Sequence, residues 1–86
     1  MSIQRTEAME PRKYRLVNRR SEVLTLVLEP WANEYAFSPG DTMEIVEEGP
    51  VSSEPLEIHF EATHVIVYGR TGTFLSLFRN GVEEVV

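Results

Sequence analysis

The sequence predicts an all-β fold, an antiparallel β-sandwich or small jelly-roll barrel of seven or eight short strands. Three observations carry this expectation. Apolar and polar residues alternate with a period of two in several runs, most cleanly in "LEIHFE", where Leu56, Ile58 and Phe60 fall on one side and Glu57, His59 and Glu61 on the other. Turn-forming clusters ("SPGD", "GPVSSEP", "GRTG" and "NG") punctuate the chain at short intervals. No stretch carries a convincing helical period, and short strands with frequent turns suit an antiparallel architecture.

Taken in order, residues 1–11, "MSIQRTEAMEP", show no strong period and end in proline, which predicts a flexible N-terminal arm. Residues 12–86 are expected to form a single β domain. "YRLVNR" and "VLTLVLE" flank "RSE", a spacing that suits a hairpin. In the second of these, Leu24, Leu26 and Leu28 share one face and Val23, Thr25 and Val27 the other, and Pro30 ends the strand. "EYAF" sets Tyr35 and Phe37 on one side, and "SPGD" follows as a turn, its proline preset in φ and its glycine free to take positive φ. "TMEIVE" places Met43 and Ile45 opposite Thr42, Glu44 and Val46. Residues 49–55 hold two prolines, a glycine and two serines, which reads as an exposed loop. "HVIVY" and "TFLSLFR" come next, joined by "GRTG". The last strand, Val82 to Val86, follows Asn80-Gly81, the strongest short hairpin signal. The core expected from these patterns is Leu16, Leu24, Leu26, Leu28, Phe37, Met43, Ile45, Leu56, Ile58, Phe60, Val65 and Val67.

Size limits how stable such a domain can be. A chain of 86 residues buries only about 60–65% of the surface it exposes when unfolded. The chain has no cysteine, so disulfides, thiolate metal sites and cysteine nucleophiles are excluded. Oligomerisation is the remaining common source of extra buried surface. No apolar run approaches the roughly 20 residues that span a bilayer. No basic-then-apolar leader opens the sequence, and these features together predict a protein of the cytoplasm with no membrane association.

The net charge of −6 hides a division. Residues 1–20 hold six arginines or lysines against two glutamates, whereas residues 21–86 hold two arginines against twelve carboxylates. An acidic body repels phosphate backbones, which argues against a nucleic-acid partner. The basic segment from Arg12 to Arg20 is expected to settle on acidic groups of its own body or a neighbour's.

The residues that carry chemistry are sparse. His59 and His64, five apart, fall on opposite faces of one strand or on two strands across a turn. Two histidines with Glu61 nearby do not make a metal set, and the expected reading is a solvated face with no metal and no cofactor. Ser38, Ser52, Ser53 and Ser76 lack a nucleophile elbow or an obvious histidine partner, and the glycines stand singly in turns rather than cradling phosphate. Glu47–Glu48 and Glu83–Glu84 read as solubilising pairs. No catalytic residues are assigned, and a non-catalytic binding or interaction domain is expected.

The segment "LEPWANEYAFSPGD", Leu28 to Asp41, is the most distinctive in the chain. With "MEIVEEG" and the closing "FRNGVE" it resembles a group of short bacterial all-β proteins of unknown function, in which a strand ending in Glu-Pro-Trp precedes a tyrosine and a Pro-Gly turn. The likeness runs from Leu24 to the "FRNGVE" hairpin and implies a fold but no activity. "SPGDTMEIVEEGP" also resembles the Pro-Gly-Asp turn of cupin-like barrels. No His-x-His precedes the turn and no histidine follows on the expected strand, so this second resemblance implies a metal-free cupin-like pocket for a small polar or sugar-like ligand. Its candidate residues are Trp31 and Tyr35 with the nearby carboxylates Glu29 and Glu34, since Trp and Tyr favour sites with one end buried and the other open to a partner.

Several strands are apolar on both sides, which a lone sandwich does not require. One outer face is expected to be covered by the N-terminal arm or by a second subunit, the size of the domain favouring the subunit. Val23, Val27, Tyr68, Phe74 and Phe78 are therefore the candidate contacts of a homodimer.

Overall fold

A computed structural model describes residues 11–50 and 56–84. Eight strands run through them: β1 (Arg12–Val17), β2 (Leu24–Glu29), β3 (Asn33–Phe37), β4 (Thr42–Glu48), β5 (Glu57–Phe60), β6 (His64–Tyr68), β7 (Phe74–Arg79) and β8 (Val82–Glu83). They form two four-stranded sheets, β1-β4-β7-β8 and β3-β2-β6-β5. No pairing joins the sheets among the described residues, so the architecture is a sandwich rather than a closed barrel. Most of the expected arm (residues 1–10), the loop residues 51–55 and the end of the last strand (85–86) lie outside the described residues.

Five pairings are antiparallel, and β2 and β6 run parallel in register, Leu26 beside Val65 and Leu28 beside Val67. The parallel pair follows from connectivity. The hairpins β2–β3 and β5–β6 are each local, but the chain visits β4 in the other sheet between them and re-enters beside β2 in the same direction.

The expected hairpin between "YRLVNR" and "VLTLVLE" is not formed. β1 pairs with β4, Tyr14 opposite Ile45 and Leu16 opposite Met43, and β2 belongs to the other sheet. The cause sits at Asn18, buried at the end of β1. Its backbone N–H donates to the Asp41 carbonyl, and its carbonyl accepts from Gly40 N–H. Its side-chain amide donates to the carbonyls of Glu22 and Phe37, and its Oδ1 accepts from Arg20 N–H. One asparagine thus ties the β1–β2 crossing to the β3–β4 turn, and the chain changes sheets instead of doubling back.

Leu24, Leu26, Leu28, Phe37, Met43, Ile45, Leu56, Val65 and Val67 form the buried core as expected, with Leu77 added and Leu16 and Ile58 packed at its margin. Phe60 does not join them and is 71% exposed. Its register opposite Val65 turns it to the inner side, but it ends a four-residue edge strand and no strand among the described residues closes over it. Glu47 is the converse case. It shares the inward face of β4 with Met43 and Ile45 and is fully buried, so it is no surface solubiliser.

The Asn80-Gly81 hairpin is formed as expected. Both residues take positive φ, 49° and 89°, the signature that lets a two-residue loop match strand twist. It carries β8 back along β7, Val82 opposite Arg79 and Glu83 opposite Phe78.

Candidate functional site

On one open side of the sandwich a cleft of about 400 Å³ runs between edge strand β3 and the β7–β8 hairpin. Trp31 and Tyr35 supply its rings, Leu28, Leu75 and Leu77 its floor, and Asn33, Ser76, Glu83 and Glu84 its polar groups, with Phe74 at its rim. The local sequence explains each placement. Pro30 ends β2, and Ala32 takes a left-handed φ of 62° to turn the chain into β3. Register then directs Tyr35 and Asn33 inward, opposite Leu26 and Leu28. Because β3 is an edge, these inward side chains look into the cleft rather than into the closed core.

Trp31 lies over Gly69. A Cβ at Gly69 would come within 2.5 Å of the indole Cη2 and 2.8 Å of Cζ3, so the ring occupies the space a side chain there would need. Gly69 N–H also donates to the Glu29 carbonyl at 2.6 Å. The indole is thereby backed on one side, yet the residue stays 42% exposed. Phe74 opens β7 and is 72% exposed.

The charged lining of this cleft is acidic. Glu84 N–H donates to the Leu77 carbonyl, and its carboxylate accepts from Arg79 at 3.2 Å, which fixes the end of the hairpin beside the cleft. Burial raises the pKa of the Tyr35 phenol, and the negative charge of Glu84 raises it further. Tyr35 therefore keeps its proton and remains a hydrogen-bond donor.

A buried charge cluster stands behind the β6–β7 connection. Glu47 accepts from Arg70 Nε at 2.9 Å and Nη2 at 2.6 Å, from Arg12 Nε at 3.1 Å and from the Tyr14 hydroxyl at 3.4 Å. The Arg70 hydrogen bonds lead in holding its pKa below the ordinary carboxylate value, with Arg12 adding to them. Thr73 closes the turn by donating to the Arg70 carbonyl through both its hydroxyl and its N–H. Glu47 thus anchors β1, β4 and the turn leading into Phe74. At the far end of the sandwich Asp41 accepts from Ser38 N–H, Arg79 and Asn80, and its pKa is lowered, by the Ser38 bond first.

The structure brings Trp31 and Tyr35 into one cleft and leaves Glu29 and Glu34 out of it. Register pairs Glu34 with Val27 and Glu29 with Tyr68 on the outer face of the second sheet. The expected dimer contacts are also dispersed. Val27 and Tyr68 point outward from the second sheet, Phe74 and Phe78 from the first, and Val23 precedes β2. Val27, on central strand β2, is itself buried, flanked by Glu34 on β3 and Ile66 on β6.

Asn33, Phe74, Glu83 and Glu84 are the cleft residues that sequence reasoning did not assign to a ligand. The Asn80-Gly81 turn held the signal for the two glutamates, because a two-residue hairpin fixes the register that returns them beside β7. His59 and His64 lie on β5 and β6, two strands joined across a turn. His59 Nε2 is 2.6 Å from Glu57 and its ring stacks at a tilt 4.8 Å from Tyr68, while His64 Nδ1 meets Thr63 Oγ1. Among the described residues no three His, Asp or Glu side chains converge as a metal set. No protein family, curated protein or solved structure matches this chain.

Proposed function

We propose that the protein is a non-catalytic binding domain and that the β3/β7–β8 cleft is its ligand site. The observation that carries this reading is the convergence of Trp31 and Tyr35 on one concave surface bordered by Phe74 at the start of β7 and edged by Asn33, Glu83 and Glu84. Trp31 and Phe74 keep much of their surface in water, so core packing does not account for them. Flat rings with a few directed polar groups suit a small polar ligand that has an apolar face, such as a sugar ring. Tyr35 donates, the two glutamates accept and Asn33 does both. Glu47, the most buried carboxylate, favours a structural role, because its oxygens are engaged by Arg70, Arg12 and Tyr14.

Trp31 is the sole tryptophan, so its emission reports on the cleft. Titration with a panel of mono- and disaccharides is expected to give a saturable change for at least one member. Phe74→Ala weakens that binding while leaving the melting temperature nearly unchanged, because the side chain is already exposed. Gly69→Ala displaces the indole and weakens binding as well. No saturable change across the panel, or binding indifferent to both substitutions, removes the cleft as a sugar site.

Self-association is a second reading. Phe74 and Phe78 share the outer face of the first sheet, opposite Glu48 and Glu44 and on either side of Ser76. A second copy laid on that face covers both rings. Sedimentation at micromolar concentration reads the outcome: a monomer of 9.9 kDa at every concentration ends this reading. A cytoplasmic setting and a metal-free cupin-like pocket belong to the same proposal and rest on sequence character alone.

A further inference from the structure

The opposite open side of the sandwich carries a second cleft, of about 270 Å³, lined by Val17, Phe60, Leu24, Phe37 and Val65 together with Arg15, Arg19 and Arg20. We propose that this cleft binds an acidic peptide segment in extended form, with an apolar side chain inserted beside Phe60 and flanking carboxylates on the arginines.

Charge pairing carries the inference. Arg12 and Arg70 meet Glu47, and Arg79 meets Asp41 and Glu84. Arg15, Arg19 and Arg20 form no ion pair among the described residues, although register sets Arg15 opposite Glu44, and Arg20 donates instead to the Ala62 carbonyl at 2.6 Å. In a chain with 14 carboxylates against eight lysines and arginines, three guanidinium groups gathered without an ion pair around the same recess mark a place for charge from outside. Guanidinium groups hold carboxylates through two parallel hydrogen bonds.

The apolar part of the cleft fits the same occupant. Phe60 and Val17 are exposed, and both border the recess rather than standing apart on the surface. β1 is an edge strand of one sheet and β5 of the other. The free backbone edge of β1 offers N–H and C=O groups to an extended chain, as strand addition requires. A peptide is favoured over a nucleic acid or an anionic membrane by the net charge of −6. Both of those present charge across the whole acidic body, whereas a short segment places its few carboxylates on the arginines alone.

The probe is a fluorescein-labelled hexapeptide with two glutamates on each side of a leucine-phenylalanine pair, followed by anisotropy at low salt. Saturable binding is expected, weakened roughly fivefold or more by the pair Arg15→Glu and Arg19→Glu and by added salt. Phe60→Ser weakens it through the apolar contact, and a lysine-flanked peptide of the same centre does not bind. All three positions are exposed, so thermal melts of the variants are expected to match the parent and to exclude unfolding as the cause. The proposal is overturned if the acidic peptide fails to saturate, or if it binds equally well to both variants. It is also overturned if only single-stranded polythymidine, or only vesicles of phosphatidylglycerol with phosphatidylcholine, bind in an Arg15- and Arg19-dependent manner.

Discussion

Where β3 meets β7 and β8, Trp31, Tyr35 and two glutamates line the open side of the sandwich, with Phe74 at the rim. Where β1 meets the end of β5, Phe60 and Val17 stand among three arginines. What lies behind each cleft differs as well. The turn leading into Phe74 rests on the buried, ionised Glu47 and its arginines, and the basic cleft is backed by the neutral amide of Asn18. Both supports tie a strand to a connection distant in sequence, yet one depends on charge and the other does not. A small sandwich can therefore keep its two open sides in register by unlike means, and those means respond differently to pH.

Removing each support sharpens the contrast, and the largest effect is expected at Glu47. Glu47→Ala leaves Arg70 and Arg12 without their shared partner and opens a void in the inner face, a loss of about 3 kcal/mol by denaturant titration. Asn18→Ala loses two side-chain donor bonds, one of them to the buried Phe37 carbonyl, and costs about 2 kcal/mol, with little change across pH. A Glu47→Ala loss no larger than an ordinary surface substitution would break the comparison, because the charge cluster would then bear no load.

The pH dependence separates the supports further. Glu47 and Asp41 both have folded pKa values below their unfolded ones, set chiefly by Arg70 for Glu47 and by Ser38 N–H for Asp41. The unfolded state then binds more protons in the acid range, so stability is complete above the unfolded carboxylate values and falls as pH drops through the folded ones. Acid melts of the parent should show this decline, and Glu47→Ala should flatten part of it while Asn18→Ala should not. Tyr35 acts at the other extreme. Its pKa is raised by burial and by Glu84, so its contribution is present at neutral pH and is lost as pH climbs past the ordinary tyrosine value.

The smallest effect is expected at the corner that delivers Trp31 to its cleft. Ala32 holds a left-handed φ of 62°, which a side chain disfavours and glycine does not. Ala32→Gly is expected to raise stability by about 0.5 kcal/mol, the relief being partly offset by the freer unfolded chain. A thermal shift upward with unchanged Trp31 emission supports this, and a drop in melting temperature refutes it.

Much of this molecule was legible in its residues, and the misses share one origin. Alternation located β2, β4, β5 and β6, and the same rule, carried one step past Met43 and Ile45, already turned Glu47 inward. In sequence Glu47 nonetheless reads as half of a solubilising pair, because its partners Arg12 and Arg70 lie 35 and 23 residues away. For the same reason nearness in sequence does not separate Trp31 and Tyr35, which the fold brings into one cleft, from Glu29 and Glu34, which it turns to the outer face of the second sheet.

Local chemistry was enough to determine the all-β class, the strands' inner faces and the positive-φ turn at Asn80-Gly81, since each depends on a few adjacent residues. Tertiary structure alone decided which strands pair, and with that the fate of individual side chains. Asn18 sent the chain to the opposite sheet, edge position left Phe60 uncovered, and the meeting of two sheet edges gathered Phe74, Glu83 and Glu84 beside Trp31. The physical reason is that a period of two specifies which side of a strand is apolar, whereas burial depends on what lies above that side, and in a sandwich that is supplied by distant parts of the chain.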